Sequence, residues 1–268
     1  MQELDDLALI VGAAQGAGEI ARRYFGGSFR KWEKKKGEPV TEADLAIDRF
    51  LFETLTAARP NYGWLSEESV DNAERLKTAR TFVVDPIDGT IAFLRNRPHF
   101  THAIAVVENG RPTAAVVLNP ITGECFGAAA GHGATLDGRP IHASNCDTVE
   151  GCRMLGSKTL FEHQAWSTLP NIPWPPMHIE QRNSIAYRLA LVAAGEFDAT
   201  VALSSKHDWD LAAGDLILEE AGGRVTNHLG EILRYNGAVP IQKSLIAAGP
   251  LLYPLLLERV QHLKLPEH

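Results

Sequence analysis

Hydrophobic positions along the chain fall into two periods. Between residues 7 and 25 they recur at helical spacing, Leu7, Ile10, Val11, Ala14, Ile20 and Tyr24, which predicts a helix from Leu7 to Phe25 stopped by Gly26-Gly27. A second helix is predicted from Thr41 to about Ala58, with Thr41 as N-cap and Asp44 in the capping-box position. The period then shortens. Phe82-Val83-Val84 is a brief apolar run, and His102 to Glu108, Thr113 to Leu118 and Glu124 to Ala129 read as a strand meander parted by turn residues such as Asn109-Gly110. After a turn-rich Gly131 to Arg139, Pro140 to Ser144 returns to extended chain. Helices are predicted again at Asn183 to Ala194 and Asp210 to Ala221, the second closed by Gly222-Gly223, and strands at Phe197 to Leu203 and Ser244 to Ala248. The change from meander to alternation puts a boundary between Ser144 and Arg153. It divides the chain into an α+β unit, 1–148, and an α/β unit, 149–268. Periodicity by itself says only mixed α and β.

Charge and composition narrow the class. A chain of 268 residues can bury a substantial core, and a net charge of -7 argues against a nucleic-acid polymer or a membrane surface as partner. The acidic N-terminus Met1-Gln2-Glu3-Leu4-Asp5-Asp6 lacks the features of a secretory signal, and no segment approaches a membrane span. Cys125, Cys146 and Cys152 have no metal-ligand spacing. A cytoplasmic protein with reduced thiols is the expectation.

Acidic residues gather at the ends of the predicted elements. Asp85-Pro86-Ile87-Asp88-Gly89-Thr90 follows the apolar run at Phe82, so a strand delivers one carboxylate and the following turn another, where both can converge on cations. Thr90 to Leu94 is predicted to open as a short helix, with the Gly89 and Thr90 amides facing an anion. Leu65-Ser66-Glu67-Glu68, Thr41-Glu42-Ala43-Asp44 and Asp208-Trp209-Asp210 add three further clusters. Together they suit an oxygen-only cage for Mg²⁺.

In order and spacing, Glu67-Glu68, Asp85 to Thr90, and Trp209-Asp210-Leu211-Ala212-Ala213-Gly214 followed by Glu220-Ala221-Gly222-Gly223 resemble the inositol monophosphatase superfamily of Mg²⁺-dependent phosphatases, over nearly the whole chain. The resemblance implies a layered α-β-α-β-α sandwich of the inositol monophosphatase and fructose bisphosphatase type, dimerisation, and hydrolysis of a small phosphorylated metabolite with two or three Mg²⁺ ions. By position it implies that Glu67, Asp85 and the Ile87 carbonyl hold a first metal, and that Asp85, Asp88 and Asp210 hold a second. Thr90, with Asp44 behind it, would orient and deprotonate the attacking water, Glu67 sharing in this catalytic group. The amides of Gly89 and Thr90 would hold the phosphate beside Asp88 and Asp210.

Several positions carry competing readings. Asp44 and Asp210 sit where helix-capping acids are common, and Asp208 and Asp215 read as acids complementing a helix dipole. Glu68 is assigned a secondary, water-mediated role. His99, His102, His132 and His207 form no paired metal motif, which disfavours a zinc hydrolase. The Asp-x-x-Asp spacing differs from the Asp-x-Asp nucleophile motif of haloacid-dehalogenase-type phosphatases, and on a regular strand would not share one face. One of Lys31, Lys34, Lys35 and Lys36 is a candidate for the phosphate. Leu203 stands where inositol monophosphatases often place a Glu, whereas Ser184 to Arg188 looks like a segment of the bisphosphate nucleotidases whose basic residue contacts substrate. Arg188 either grips that phosphate, or is an exposed helix residue, or pairs with Asp198. The leading expectation is therefore a 3′(2′),5′-bisphosphate nucleotidase, with inositol-1-monophosphatase second, histidinol phosphatase third, and a regulatory scaffold as the non-enzyme alternative.

Overall fold

A computed structural model describes residues 1–35, 38–167 and 170–265. The first apolar stripe forms α1 (Gln2–Tyr24), which begins before the predicted Leu7. The reason is Asp6, fully buried, whose carboxylate takes Arg80 at 2.9 Å, Arg59 at 3.0 Å and the Tyr62 hydroxyl at 2.9 Å and so anchors the first turns. An antiparallel hairpin of β1 (Lys31–Lys35) and β2 (Glu38–Thr41) leads into α2 (Glu42–Ala58), which starts and ends as its pattern predicts.

Seven strands then form one sheet: β3 (Gly63–Ser66), β4 (Arg80–Asp88), β5 (Thr101–Glu108), β6 (Arg111–Leu118), β7 (Cys125–Ala129), β8 (Ala134–Leu136) and β9 (Arg139–Pro140), in sequence order, with α3 (Thr90–Leu94) between β4 and β5. Only the β3–β4 pair is parallel; the rest is the predicted meander extended on both sides. The expected extended chain at Pro140 to Ser144 contributes only the end of β9.

A second sheet follows. Its strands are β10 (Arg153–Leu155), β11 (His178–Glu180), β12 (Ala199–Ala202), β14 (Arg224–Thr226) and β16 (Leu245–Ala248), in the order β11-β10-β12-β16-β14. Between them the chain forms α4 (Lys158–Phe161), α5 (Ile185–Ala193), β13 (Lys206–His207), α6 (Asp208–Glu220), β15 (Ile241–Gln242), which pairs with β13, and finally α7 (Tyr253–Val260). Strands β10, β11 and β14 were not predicted, because three residues give too few positions for alternation to show.

Strand alternation sets the layers. Phe82, Val84, Ile104 and Val116 pack against Ile10, Ala14, Ile47 and Leu51 of α1 and α2. Val83, Ala105 and Val117 face the other way, onto Leu189 of α5 and Leu211 and Leu216 of α6. The second sheet repeats the rule: Leu155, Leu245 and Ala247 join the α5–α6 core, and Met154, Val201 and Ile246 turn outward to Leu252, Leu256 and Val260 at α7. Helices, sheet, helices, sheet and helix thus stack as the expected α-β-α-β-α sandwich. The central helices meet closely, since a Cβ on Gly214 would lie 2.5 Å from that of Leu189. Among the described residues no helix is long and apolar enough to cross a membrane, and the three cysteines are free thiols.

Candidate active site

Strand β4 carries two acidic residues to one face by an irregularity. Asp85 is paired with Ala103 and Asp88 with Thr101, so Pro86 and Ile87 together stand against His102 alone. This is a β-bulge, and the extra residue restores to one face two side chains that a regular strand would have pointed apart. Regular alternation would keep Asp85 and Asp88 on opposite faces; the bulge is what lets them converge. Gly89 follows with φ +99°, and a Cβ there would come within 3.1 Å of the His99 carbonyl oxygen and the Ser184 nitrogen, so only glycine fits the start of α3.

Helix α6 brings the third carboxylate. Oxygens of Asp85, Asp88 and Asp210 all lie within 4.8 Å of one another. Each carboxylate is held differently. Asp88 Oδ2 accepts from the Ser184 hydroxyl at 2.7 Å and the Ala186 amide at 2.6 Å, at the N-terminus of α5. Asp210 Oδ2 accepts from the His207 amide at 2.8 Å, closing the first turn of α6. Asp85 Oδ1 is buried and has no hydrogen-bond partner.

The electrostatics follow from that crowding. Burial, then the charges of Glu67, Asp88, Asp210 and Glu68, push Asp85 well above the usual carboxylate range. Burial and the charge of Asp88 do the same to Asp210. Burial raises Asp88 to about 6 against the Ser184 and Ala186 hydrogen bonds. Like charges converging on an orphaned buried oxygen are costly without a cation, and an all-oxygen donor set suits a hard divalent ion, so these residues fit Mg²⁺. A cavity of about 210 Å³ lies over them, lined also by Pro39, Glu67, Ile87, Gly89, Thr90 and Asn183. It adjoins a second cavity of about 680 Å³, which shares Asp88, Ile91, Asn183 and Asp210 and adds Arg188, Leu203 and Lys206.

The catalytic pair expected from sequence is not formed as such. Asp44 Oδ2 accepts from the Thr41 amide at 2.8 Å and from the Thr41 hydroxyl, completing the capping box of α2. Thr90 Oγ1 instead donates to the Ile87 carbonyl at 3.2 Å, the oxygen expected to face a metal. Among the described residues no hydrogen bond joins Thr90 to Asp44: the cap claims the carboxylate, and the first turn of α3 claims the hydroxyl. Burial still raises Asp44 to about 7, with the charge of Glu68 adding to it, so Glu68 lies within electrostatic reach of both Asp44 and Asp85.

Other expectations separate. Asp208 accepts from the Asn236 amide at 2.7 Å and Gln242 at 2.8 Å, and Asp215 pairs with Arg111 at 2.8 Å and the Tyr235 hydroxyl at 2.7 Å, so both are structural. Trp209 is half-buried, packs against the α5–α6 core and stacks on His207 with ring centroids 4.5 Å apart. Arg188 does not pair with Asp198, which is held by Arg153 at 2.7 Å; its Nε donates to the Arg182 carbonyl at 2.7 Å. Lys36 and the side chains of Lys34 and Lys35 fall outside the described residues, and Lys31 is exposed and lines neither cavity. Asn183 and Lys206 line the cavities without a signal in the sequence, and Ser184, which opens the expected substrate segment, serves as the N-cap of α5, a position readable from a serine before an apolar helix.

Comparison with known proteins agrees with this geometry. The model of the inositol monophosphatase family matches residues 2–265. The chain belongs to that family. It is 33% identical over 262 residues to an inositol-1-monophosphatase of Caulobacter vibrioides, covering 94% of this chain and 99% of that protein. It is 34% identical to the Nus factor SuhB of Pseudomonas aeruginosa, covering 86% and 87% of the two chains. An IMPase structure from Thermotoga maritima superposes with a TM-score of 0.81 at 29% identity, over 96% of each chain. As a family member the protein is a hydrolase acting on phosphate monoesters, of a family that generally depends on Mg²⁺. These relatives correct the substrate order: they favour inositol phosphate over the bisphosphate nucleotide that headed it.

Proposed function

We propose that the protein hydrolyses an inositol monophosphate, with inositol 1-phosphate as the first substrate to test. The full-length likeness to inositol-1-monophosphatases carries this reading, and the small cavity over three converging carboxylates supports it. Glu67, Asp85, Asp88, Asp210 and the Ile87 carbonyl would hold Mg²⁺. When bound, the ion neutralises phosphate charge and acidifies water, in the way two-metal phosphatases use. Thr90 would align the attacking water from the cavity wall, and Asp44, raised to about 7 and therefore close to neutral pH, would accept its proton through the hydroxyl once Thr90 turns from Ile87. The Gly89 and Thr90 amides would donate to the phosphate, and the leaving alcohol would occupy the larger cavity.

One observation favours a second reading. The larger cavity offers Arg188 and Lys206 and presents Leu203 in place of a carboxylate. Burial lowers both cations; Asp210 and Asp88 oppose this at Lys206, where Arg188 adds to the lowering, and Asp88 opposes it at Arg188. Two half-buried cations in the wall of one cavity suit a leaving group with its own anion, such as a bisphosphate nucleotide. Phosphate release in Mg²⁺ from inositol 1-phosphate, adenosine 3′,5′-bisphosphate and histidinol phosphate separates the readings. Higher kcat/KM for the bisphosphate would displace inositol phosphate.

A further inference from the structure

The bulge that aligns Asp85 with Asp88 leaves a strong acceptor to satisfy, the carbonyl of Pro86, a buried residue that also has no amide hydrogen for the ladder. The residue opposite is His102. It is wholly buried, and its Nδ1 lies 2.5 Å from the Pro86 oxygen. Its Nε2 is buried with no hydrogen-bond partner. The strand beyond it, Ala103-Ile104-Ala105-Val106-Val107, is entirely apolar. An aliphatic side chain here would add no polar atom of its own but would leave the Pro86 carbonyl without this donor, so a histidine with one nitrogen idle is explained by what the other nitrogen does.

We propose that His102 is a positioning residue of the metal centre: its Nδ1–H donates to the Pro86 carbonyl and holds the bulge that sets Asp85 and Asp88 on one face. A carbonyl oxygen only accepts, so the proton must sit on Nδ1. The other neutral tautomer would set a nitrogen lone pair against the oxygen lone pairs at 2.5 Å. Removing this donor frees the peptide between the two carboxylates, and the turn that presents the Ile87 carbonyl relaxes with it. The effect resembles that of hydrogen-bond partners that orient ligands in other metal sites. The inference rests on the assignment of Asp85 and Asp88 as cation ligands; the position of the proton does not.

Two measurements test it on the full chain. Nitrogen-15 NMR of histidine-labelled protein is expected to show His102 neutral, protonated at Nδ1, with a bare Nε2; protonation at Nε2 alone would overturn the proposal. Mn²⁺ binding without substrate, followed by electron paramagnetic resonance, is then compared among variants. His102→Leu is expected to weaken Mn²⁺ about 10- to 100-fold, while His102→Asn, whose amide can replace Nδ1–H, stays within about threefold of the parent. His102→Gln, which extends its amide to the Nε2 position, is expected to follow Leu and serves in its place if the Leu variant does not fold. Equal binding by His102→Leu and the parent, or by His102→Asn and His102→Gln, would overturn the proposal. Asp85→Asn is the control: unchanged Mn²⁺ binding there would overturn the ligand assignment and this role together. A normal loss there with no response at His102 would overturn the role alone.

Discussion

The starts of α2 and α6 are built alike and used differently. In both, an aspartate in the first turn reaches back to the N-cap amide, Asp44 to Thr41 and Asp210 to His207, each at 2.8 Å. At α2 the cap is a threonine whose hydroxyl also bonds Asp44, and the carboxylate is sealed at 1% exposure. At α6 the cap is a histidine stacked on Trp209, and Asp210 stays open to the cavity, within reach of Asp85 and Asp88. A helix cap therefore does not decide between structure and chemistry; the identity of the cap residue and the neighbouring carboxylates do.

The sharpest test of that contrast is to remove one charge at each end. Asp210→Asn keeps an oxygen for the His207 amide and so should fold, yet it should lower kcat/KM on the order of 10³-fold and weaken Mg²⁺, a loss of several kcal/mol. Asp85→Asn should do the same. Without metal it should melt at or above the parent at neutral pH, because it deletes a buried charge held among like charges. A metal-free melting curve well below the parent would contradict that picture of the site. At α2, Asp44→Asn should lower kcat about 10- to 100-fold and leave Mg²⁺ affinity unchanged. Equal damage to both quantities would make Asp44 a ligand-like group and erase the contrast.

Smaller effects sharpen it further. Arg188→Ala should raise KM for adenosine 3′,5′-bisphosphate by about 10- to 100-fold if its guanidinium meets a second anion, and change inositol 1-phosphate kinetics little. Uniform loss on both substrates would assign Arg188 to holding the Arg182 carbonyl instead. Thr41→Ala should cost about 1 kcal/mol in stability through the lost cap. Stability of the metal-free protein should also depend on pH. Asp44 near 7 and Asp88 near 6 both lie above their unfolded values, so the folded state binds more protons. Their contribution is full below about pH 4 and is lost as pH rises through 6 and 7. In chelator, thermal melts should drop between pH 5 and 8, and Mg²⁺ should flatten the curve; a metal-free protein steadier at pH 8 than at pH 5 would refute the crowding of carboxylates.

Particular residues show what the chain discloses and where it stops. The capping box at Thr41 and Asp44, the stop at Gly222-Gly223, and the meander are local, and each could be read within a few residues. The acidic quartet could be read as a set because its spacing survives in the linear order. The bulge could not, since it exists only in the register between β4 and β5. Nor could the fate of Arg188, whose partner is a carbonyl on the loop before α5, or the wall formed by Val201 to Lys206, which meets Asp88 only after the second sheet has formed. The substrate order rests on Arg188 and Leu203, and whether they meet Asp88 and Asp210 depends on how the second sheet packs.

Helices α5 and α6 lie between the two sheets, and their close contact at Gly214 and Leu189 fixes them to one another. One caps Asp88 through Ser184, and the other carries Asp210. The hydrolytic half of the pocket is thereby moored to the densest part of the molecule, whereas the wall beyond Val201 is strand end and turn. On the proposed reading, in which the alcohol leaves through the larger cavity, substitutions at residues 203–206 would change which alcohol is released without touching the carboxylates, and a designer seeking a new substrate would start at those positions.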